Sequence, residues 1–418
     1  QKFLRELFGW HNSSDYWFPE IRSMGGAILV MSCVLYPYIY MLTRASFLSV
    51  PISFYQTSLI YGRNSFYSVA LPLARPGIFA GLALVLMETI SDFGTVEYFA
   101  LETLTLGVFN VWLGMNSLSG ASQISSVLFL FVVVLLTIEY LARRRQRFHE
   151  KSSGQNILTS ETISNTKKII CFIICFIPIF LGFVIPVLIL LNFVLSGYSI
   201  INFKEIFQIS LTSITVASTG AFFVMLISIL MIIISSYKSN NIQKGLIFLA
   251  SCGYALPGTI LAVGIIIFVG FLNDIFYFHL SYVAGGFIIL IFAYITRFLA
   301  VGNAAIRSGI HKIHPNAMDA SKTMGMGFSK SIRIVVLPLL FTNVLIGGIL
   351  VFVDILKELP ITLLLRPFNF ETLATFVYQY AKEEMLEQCA LAALLIILIG
   401  IIPVFILNKT INLYTKKQ

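Results

Sequence analysis

The sequence predicts an all-α polytopic membrane protein with nine spans in two parallel, pseudo-symmetric halves. Two observations predict this fold class. Of the 418 residues, 58% are hydrophobic and only 11% are charged, whereas about 25% of the residues of a soluble domain are charged. In addition, a polar loop followed by an apolar helix occurs twice in the same direction, which is typical of halves related by an axis along the membrane normal. The basic residues fall in short stretches between apolar segments, which argues against a nucleic-acid-binding face.

Nine apolar runs are long enough to cross the roughly 30 Å hydrocarbon core of a bilayer as helices. They lie at residues 24–43, 77–94, 124–142, 169–195, 209–236, 245–272, 281–301, 337–357 and 390–408. The run at 169–195 contains Pro178 and Pro186, so we expect a kinked helix there.

Lys and Arg are concentrated in alternate connections, and this pattern predicts which loops face the cytoplasm. The connection at residues 143–168 is the most basic one, whereas the opposite loop at 272–280 has no Lys or Arg. We therefore interpret residues 143–168 as a cytoplasmic linker. It separates a first half at residues 1–142, with three spans, from a second half at residues 169–418, with six.

The repeated unit recurs at an offset of 266 residues. Leu71-Pro72 matches Leu337-Pro338, Glu88 matches Asp354, and Asp92 matches Glu358. In each copy a cytoplasmic loop ends at Leu-Pro, and the helix that follows carries two carboxylates four residues apart on one face of its outer end.

The four repeated carboxylates, Glu88, Asp92, Asp354 and Glu358, are candidates for a translocation pathway. Ionisable side chains within the membrane usually face a cavity or one another, and carboxylate oxygens suit a hard cation. The alternative is gating or local pairing, for example with Lys357.

The loop before each Leu-Pro contains a second repeated motif. In the second copy, a loop at about 311–338, the segment Asp319-Ala320-Ser321-Lys322-Thr323-Met324-Gly325 resembles the Glu-Ala-Ala-x-x-x-Gly signature of bacterial ABC importer permeases. This resemblance implies a short helix that docks in a cleft of an ATPase subunit through Asp319, Ala320, Ser321 and Gly325. The alternative is an ordinary surface helix.

The first copy of this motif, in the loop at about 53–72, is degraded. Gln56 replaces the acidic residue, Gly62 is retained, and three residues are missing between the glycine and Leu71. We therefore expect a weaker ATPase contact here.

Further segments resemble the fused, two-half permeases of ferric-iron ABC importers. They are Tyr16 to Ser23, Leu71 to Gly77, Met87 to Phe99, Gly253 to Gly258, and Lys357 to Phe370. The resemblance implies a type I ABC importer transmembrane fold with two six-span halves, so we expect about three spans to be missing from the first half. It also implies a bacterial inner-membrane location.

The resemblance further implies the partners. A periplasmic binding protein would deliver Fe³⁺, and two copies of a cytoplasmic ATP-binding subunit would drive transport. The chain contains no G-x-x-x-x-G-K-[ST] phosphate loop, in agreement with ATP and Mg²⁺ being bound by the partner. We therefore expect no catalytic residues and no cofactor in this chain.

Other interpretations remain open. The cargo of an ABC permease of this kind could instead be thiamine, a polyamine or an inorganic anion. A secondary transporter would need no ATPase, and a membrane-bound enzyme would need a polar constellation at one membrane face. No metal site is predicted, because His311 and His314 lie in a solvated loop and Cys171 and Cys175 have no further ligand nearby.

Overall fold

A computed structural model describes residues 20–48, 50–144, 164–197, 203–237, 240–276, 285–314 and 316–415. These described residues form helices and no strands. Most of the predicted linker at 143–168, and the segment Tyr16 to Pro19, lie outside them. The names first half and second half are used below for residues 20–144 and 164–415.

Within the described ranges, nine helical segments are long and apolar enough to cross a membrane, which confirms the predicted number. They are Met24–Leu48, Phe66–Ser91, Leu118–Thr137, Asn165–Leu195, Phe203–Tyr237, Gly258–Ile275, Gly286–Lys312, Phe328–Leu356 and Leu386–Phe405.

The first half contains six α-helices. They are α1 (Met24–Leu48), α2 (Ile52–Ile60), α3 (Leu71–Ser91), α4 (Gly94–Tyr98), α5 (Leu104–Phe109) and α6 (Leu118–Arg144). The described residues of the second half form twelve: α7 (Asn165–Ile179), α8 (Ile185–Leu195), α9 (Phe203–Tyr237), α10 (Asn241–Ser251), α11 (Gly258–Phe276), α12 (Gly285–Lys312), α13 (Asn316–Thr323), α14 (Phe328–Ser331), α15 (Leu337–Leu356), α16 (Pro360–Leu365), α17 (Leu373–Lys382) and α18 (Leu386–Thr415).

Three prolines are each preceded by a π-helical turn. The turns are Phe66–Ala70 before Pro72, Phe180–Val184 before Pro186, and Ile332–Val336 before Pro338. Proline has no N–H to donate to the carbonyl four residues earlier, and the wider turn re-pairs the backbone locally. The run at 169–195, in which a kink is expected, therefore contains a π-helical turn before Pro186. The two Leu-Pro motifs begin α3 and α15 after turns of the same kind.

The predicted span at 245–272 has the wrong start. Helix α10 ends at Ser251, a 3₁₀ turn occupies Cys252–Ala255, and the spanning helix α11 begins only at Gly258. The break has two causes. Pro257 cannot continue a helical hydrogen-bond ladder. Gly253 lets the turn approach α12 so closely that a Cβ there would lie 2.0 Å from the carbonyl oxygen of Thr296.

The largest buried core lies where α9, α12 and α15 pack together in the second half. Its fully buried members include Val224 on α9, Leu290 and Tyr294 on α12, and Val351 on α15. Small residues bring helices together in membranes, where the lipid gives no hydrophobic drive for association. The same principle applies in the first half, where α3 packs on α1.

Replacing Gly81 by Ala is expected to destabilise the contact between α3 and α1. A Cβ at Gly81 would lie 2.7 Å from the Cα of Ile39, a backbone atom, so the helices must move apart at a cost of about 1–3 kcal/mol. The matched control is Gly264→Ala on α11, where nothing lies within 4 Å. Thermal unfolding in detergent should show a lower transition for Gly81→Ala alone; equal transitions would contradict this packing.

Candidate functional site

A cavity of about 350 Å³ lies between the two halves at the predicted outer ends of α3 and α15. All four predicted pathway carboxylates, Glu88, Asp92, Asp354 and Glu358, line it. The repeat thus places two acidic side chains from each half around one cavity. The remaining lining comes mainly from α1, α12 and the residues that follow α3 and α15.

The last carboxylate of each pair accepts a hydrogen bond from the second residue of the short helix that follows. Asp92 Oδ1 accepts from the backbone N–H of Thr95 in α4 at 3.1 Å. Glu358 Oε1 accepts from the backbone N–H of Ile361 in α16 at 3.3 Å. In both halves the acceptor lies three residues before the donor. The two halves therefore repeat a backbone geometry as well as a residue pattern.

The second-half carboxylates are both paired with cations. Lys357 Nζ lies 3.0 Å from Asp354 Oδ1. Arg297 Nη1 lies 3.3 Å from Glu358 Oε1, and these two side chains are only 8% and 7% exposed. For Asp354 and Glu358, the structure therefore contains the local pairing that the sequence left open as an alternative.

The segment Gly253 to Gly258 supplies two further contacts to the site. The hydroxyl of Tyr254 donates a hydrogen bond to Glu88 Oε1 at 2.8 Å. At Gly258, a Cβ would lie 2.3 Å from Arg297 Nη1 and 2.8 Å from Glu358 Oε1. Only glycine leaves room for that ion pair at this position.

Burial shifts the pKa values of Asp92 and Glu358. It raises the pKa of Asp92 above its ordinary value, against the opposing effect of the hydrogen bonds from Thr95. It also raises the pKa of Glu358, against the opposing charge of Arg297. Both groups therefore retain protons more readily than carboxylates in water, and a cation that binds them competes with those protons.

On the predicted outer side of the cavity the two halves contact each other. Phe93 of the first half is buried, and its ring centroid lies 5.3 Å from that of Tyr378 in the second half. The Tyr378 hydroxyl donates to Glu97, which also lies 3.0 Å from Lys382 Nζ. Apolar and ionic contacts therefore join the two halves beside the cavity.

The carboxylates line the cavity without forming a ready metal site. In the part of the chain that the structure describes, no three His, Cys, Asp or Glu side chains are grouped so that they could hold a metal ion.

The predicted ATPase-coupling segments form two similar helix ends. Asp319, Ala320 and Ser321 lie in α13, and Gly325 follows it in the left-handed conformation with φ of 77°. Gln56 lies in α2, and Gly62 follows that helix with φ of 62°.

An equivalent backbone hydrogen bond closes each of these two helix ends. The N–H of Arg63 donates to the carbonyl of Ser58 at 3.0 Å, and the N–H of Met326 donates to that of Ser321 at 3.1 Å. Ser58 and Ser321 are both buried. The first copy is thus degraded in sequence while its backbone forms the same terminus. Ala320 and Asp319 are exposed.

Two residues of the site were not predicted from the sequence, Arg297 and Tyr254. The sequence does contain a signal for Arg297, which is the single Arg or Lys within the predicted span at 281–301. A charged residue inside a span is a candidate functional residue by default. No comparable signal marks Tyr254, because its contact with Glu88 joins residues 166 positions apart.

The chain is similar to known transport permeases. Residues 16–147 match the family described as binding-protein-dependent transport system inner membrane component. Over 398 residues the chain is 22% identical to the Fe(3+)-transport system permease protein FbpB 2 of Haemophilus influenzae, covering 93% of this chain and 77% of the relative. Over 139 residues it is 28% identical to the molybdenum transport system permease protein ModB of the same organism, covering 30% of this chain and 59% of the relative.

Permeases of this family work with an ATPase subunit and a substrate-binding protein, and they are not themselves enzymes. The nine apolar helices fit the inner membrane in which these relatives reside. The chain is therefore a multi-pass inner-membrane permease subunit of an ATP-binding-cassette importer, and its residues 16–147 are the part that matches the binding-protein-dependent transport family.

Proposed function

We propose that the cargo of this permease is ferric iron, received from a periplasmic iron-binding protein and passed inward through the cavity between the halves. The observation that carries the proposal is the acidic lining: four carboxylates and two cations, Arg297 and Lys357, face one cavity. Fe³⁺ is a hard cation that prefers oxygen ligands. The similarity to a ferric-iron permease over nearly the whole chain supports the same cargo.

The charge of the cavity favours a cation over an anion. Carboxylates outnumber cationic side chains by two along its walls, and in a partly enclosed site such an excess repels an anion strongly. The similarity to the molybdenum permease covers only 30% of the chain. It supports the shared transport fold more than a shared cargo.

We also propose that two ATPase subunits dock on this chain, one at α13 and one at α2. The support is the common terminus of the two helices, with left-handed Gly325 and Gly62 in matching places. The exposed side chains differ, since α13 presents the ion pair of Lys322 with Asp319 and α2 ends in exposed Leu59 and Ile60. The first contact would accordingly be more apolar than the second.

Reconstitution tests the cargo directly. The permease is placed in liposomes with its ATPase and its binding protein, and uptake of radioactive ferric iron is compared with uptake of molybdate and thiamine. We expect ATP-dependent uptake of iron alone. Uptake of another cargo in place of iron would overturn the cargo assignment, and iron uptake without ATP would overturn the mechanism.

A further inference from the structure

The cationic side chains that line the cavity come from one half of the chain only. Arg297 and Lys357 both belong to the second half, and each is paired with a second-half carboxylate. Along α3 and α15 the offset of 266 residues has no gap, so the first-half position equivalent to Lys357 is Ser91. A hydroxyl thus occupies the place of an ammonium.

The position equivalent to Arg297 follows from helix packing. Asn343 of α15 lies against Ala305 and Gly309 of α12. The matching residue of α3, Gly77, lies against Leu42 and Ser46 of α1. These two comparisons give an offset of 263 residues between α1 and α12. The contacts of Gly81 with Ile39 and of the equivalent Gly347 with Ala305 give 266.

The two offsets place Val34 and Met31 at the position of Arg297, and both of these apolar residues line the cavity with Arg297. An apolar side chain therefore occupies the place of a guanidinium. The first half has no cation at either of the two positions from which the second half neutralises its carboxylates.

The first-half carboxylates consequently have neutral partners. Glu88 accepts from the Tyr254 hydroxyl, and Asp92 accepts from a backbone N–H. Among the described residues, neither forms an ion pair with Lys or Arg. The excess negative charge of the cavity is therefore on the first-half side.

A buried donor in the same cavity also lacks a partner. Arg297 is 7% exposed and lines the cavity, and its Nε has no hydrogen-bond partner among the described residues. A buried donor left without an acceptor costs free energy. An oxygen-ligated cation seated beside it, against the first-half carboxylates, would supply that acceptor through one of its own oxygen ligands.

We propose that Glu88 and Asp92 bind the cargo cation, while Lys357 and Arg297 act as fixed counter-charges that keep Asp354 and Glu358 from doing so. Each second-half carboxylate would have to leave a cation before it could bind another. This is costly for the buried pair of Glu358 with Arg297, and less costly for Asp354, whose partner Lys357 is about half exposed. Glu88 and Asp92 have no such partner to leave. This inference rests on the proposed function, in that the cargo is a cation.

The decisive variant is Ser91→Lys, which repeats in the first half the spacing of Asp354 and Lys357. The new ammonium stands three residues after Glu88, within reach of its carboxylate, and Ser91 lines the cavity, so the side chain can enter it. The matched control is Ser91→Met, which is similar in length but uncharged. In the reconstituted importer we expect ATP-dependent ferric uptake to fall at least about tenfold for Ser91→Lys and to fall far less for Ser91→Met.

Three outcomes have distinct meanings. Undiminished uptake with Ser91→Lys, or an equal loss with Ser91→Met, overturns the inference while the proposed function stands. Absence of ferric uptake by the wild-type importer, with transport of an anion instead, overturns both. If Ser91→Lys does not fold, Glu88→Gln replaces it, since it keeps the shape and the Tyr254 contact; a thermal transition like that of the wild type with unchanged uptake would again overturn the inference.

Discussion

Replacing Arg297 by Met is expected to lower the free energy of unfolding by about 3–5 kcal/mol, the usual cost of removing one member of a buried ion pair. Arg297 and Glu358 are both more than nine-tenths buried and 3.3 Å apart. Without the guanidinium, Glu358 keeps one backbone hydrogen bond, from Ile361, and no cation. Thermal and denaturant unfolding in detergent would measure the loss.

The control for this variant is Arg297→Met combined with Glu358→Gln. The second change removes the stranded charge, so the double variant should recover a large part of the lost stability. If the single and double variants were equally unstable, the loss would come from packing of the Arg297 side chain rather than from its charge. Gly258 should remain unchanged in both proteins because it borders the pair directly.

Replacing Ala320 by Arg is expected to lower ATP-driven uptake about tenfold or more, while leaving the fold intact. Ala320 is exposed on α13, where a substitution typically changes stability by about 0.5 kcal/mol or less. A long charged side chain would nevertheless hold the helix away from a fitted ATPase cleft. Co-purification of the ATPase and uptake in liposomes would both fall, whereas the thermal transition of the permease alone would not change.

The corresponding first-half variant is Thr57→Arg, at an exposed position of α2. If the second ATPase docks there, this variant also loses uptake. Full uptake by Thr57→Arg together with loss in Ala320→Arg would show that only α13 drives transport. Full uptake by both would contradict the coupling role of these helices.

The carboxylates of the site were predictable because their repeat is ungapped. Glu88 and Asp92 occupy the same places in α3 as Asp354 and Glu358 in α15, and a helix carries residues four apart on one face. That pattern needs no knowledge of how helices pack, and the structure brings all four side chains to one cavity.

The asymmetry of the site was not predictable, because it depends on how α1 and α12 pack. The sequences of these helices suggest a different register: Gly25-Gly26 and Gly285-Gly286 are 260 residues apart, whereas packing against α3 and α15 gives 263 and 266. Only the packing shows that the first-half counterpart of Arg297 is apolar. The boundary error at 245–272 has a related origin, because the run is apolar throughout and its hydropathy hides the turn before Pro257.

The joining of two related halves in one polypeptide has a consequence for symmetry. In a channel assembled from two identical chains, every residue at the central axis appears twice, so a lysine at 357 would always come with a lysine in place of Ser91. Covalent fusion removes that constraint. One half is free to keep cations beside its carboxylates while the other half keeps carboxylates with neutral partners. Duplication followed by fusion therefore permits a charge difference across the axis that a homodimer cannot have.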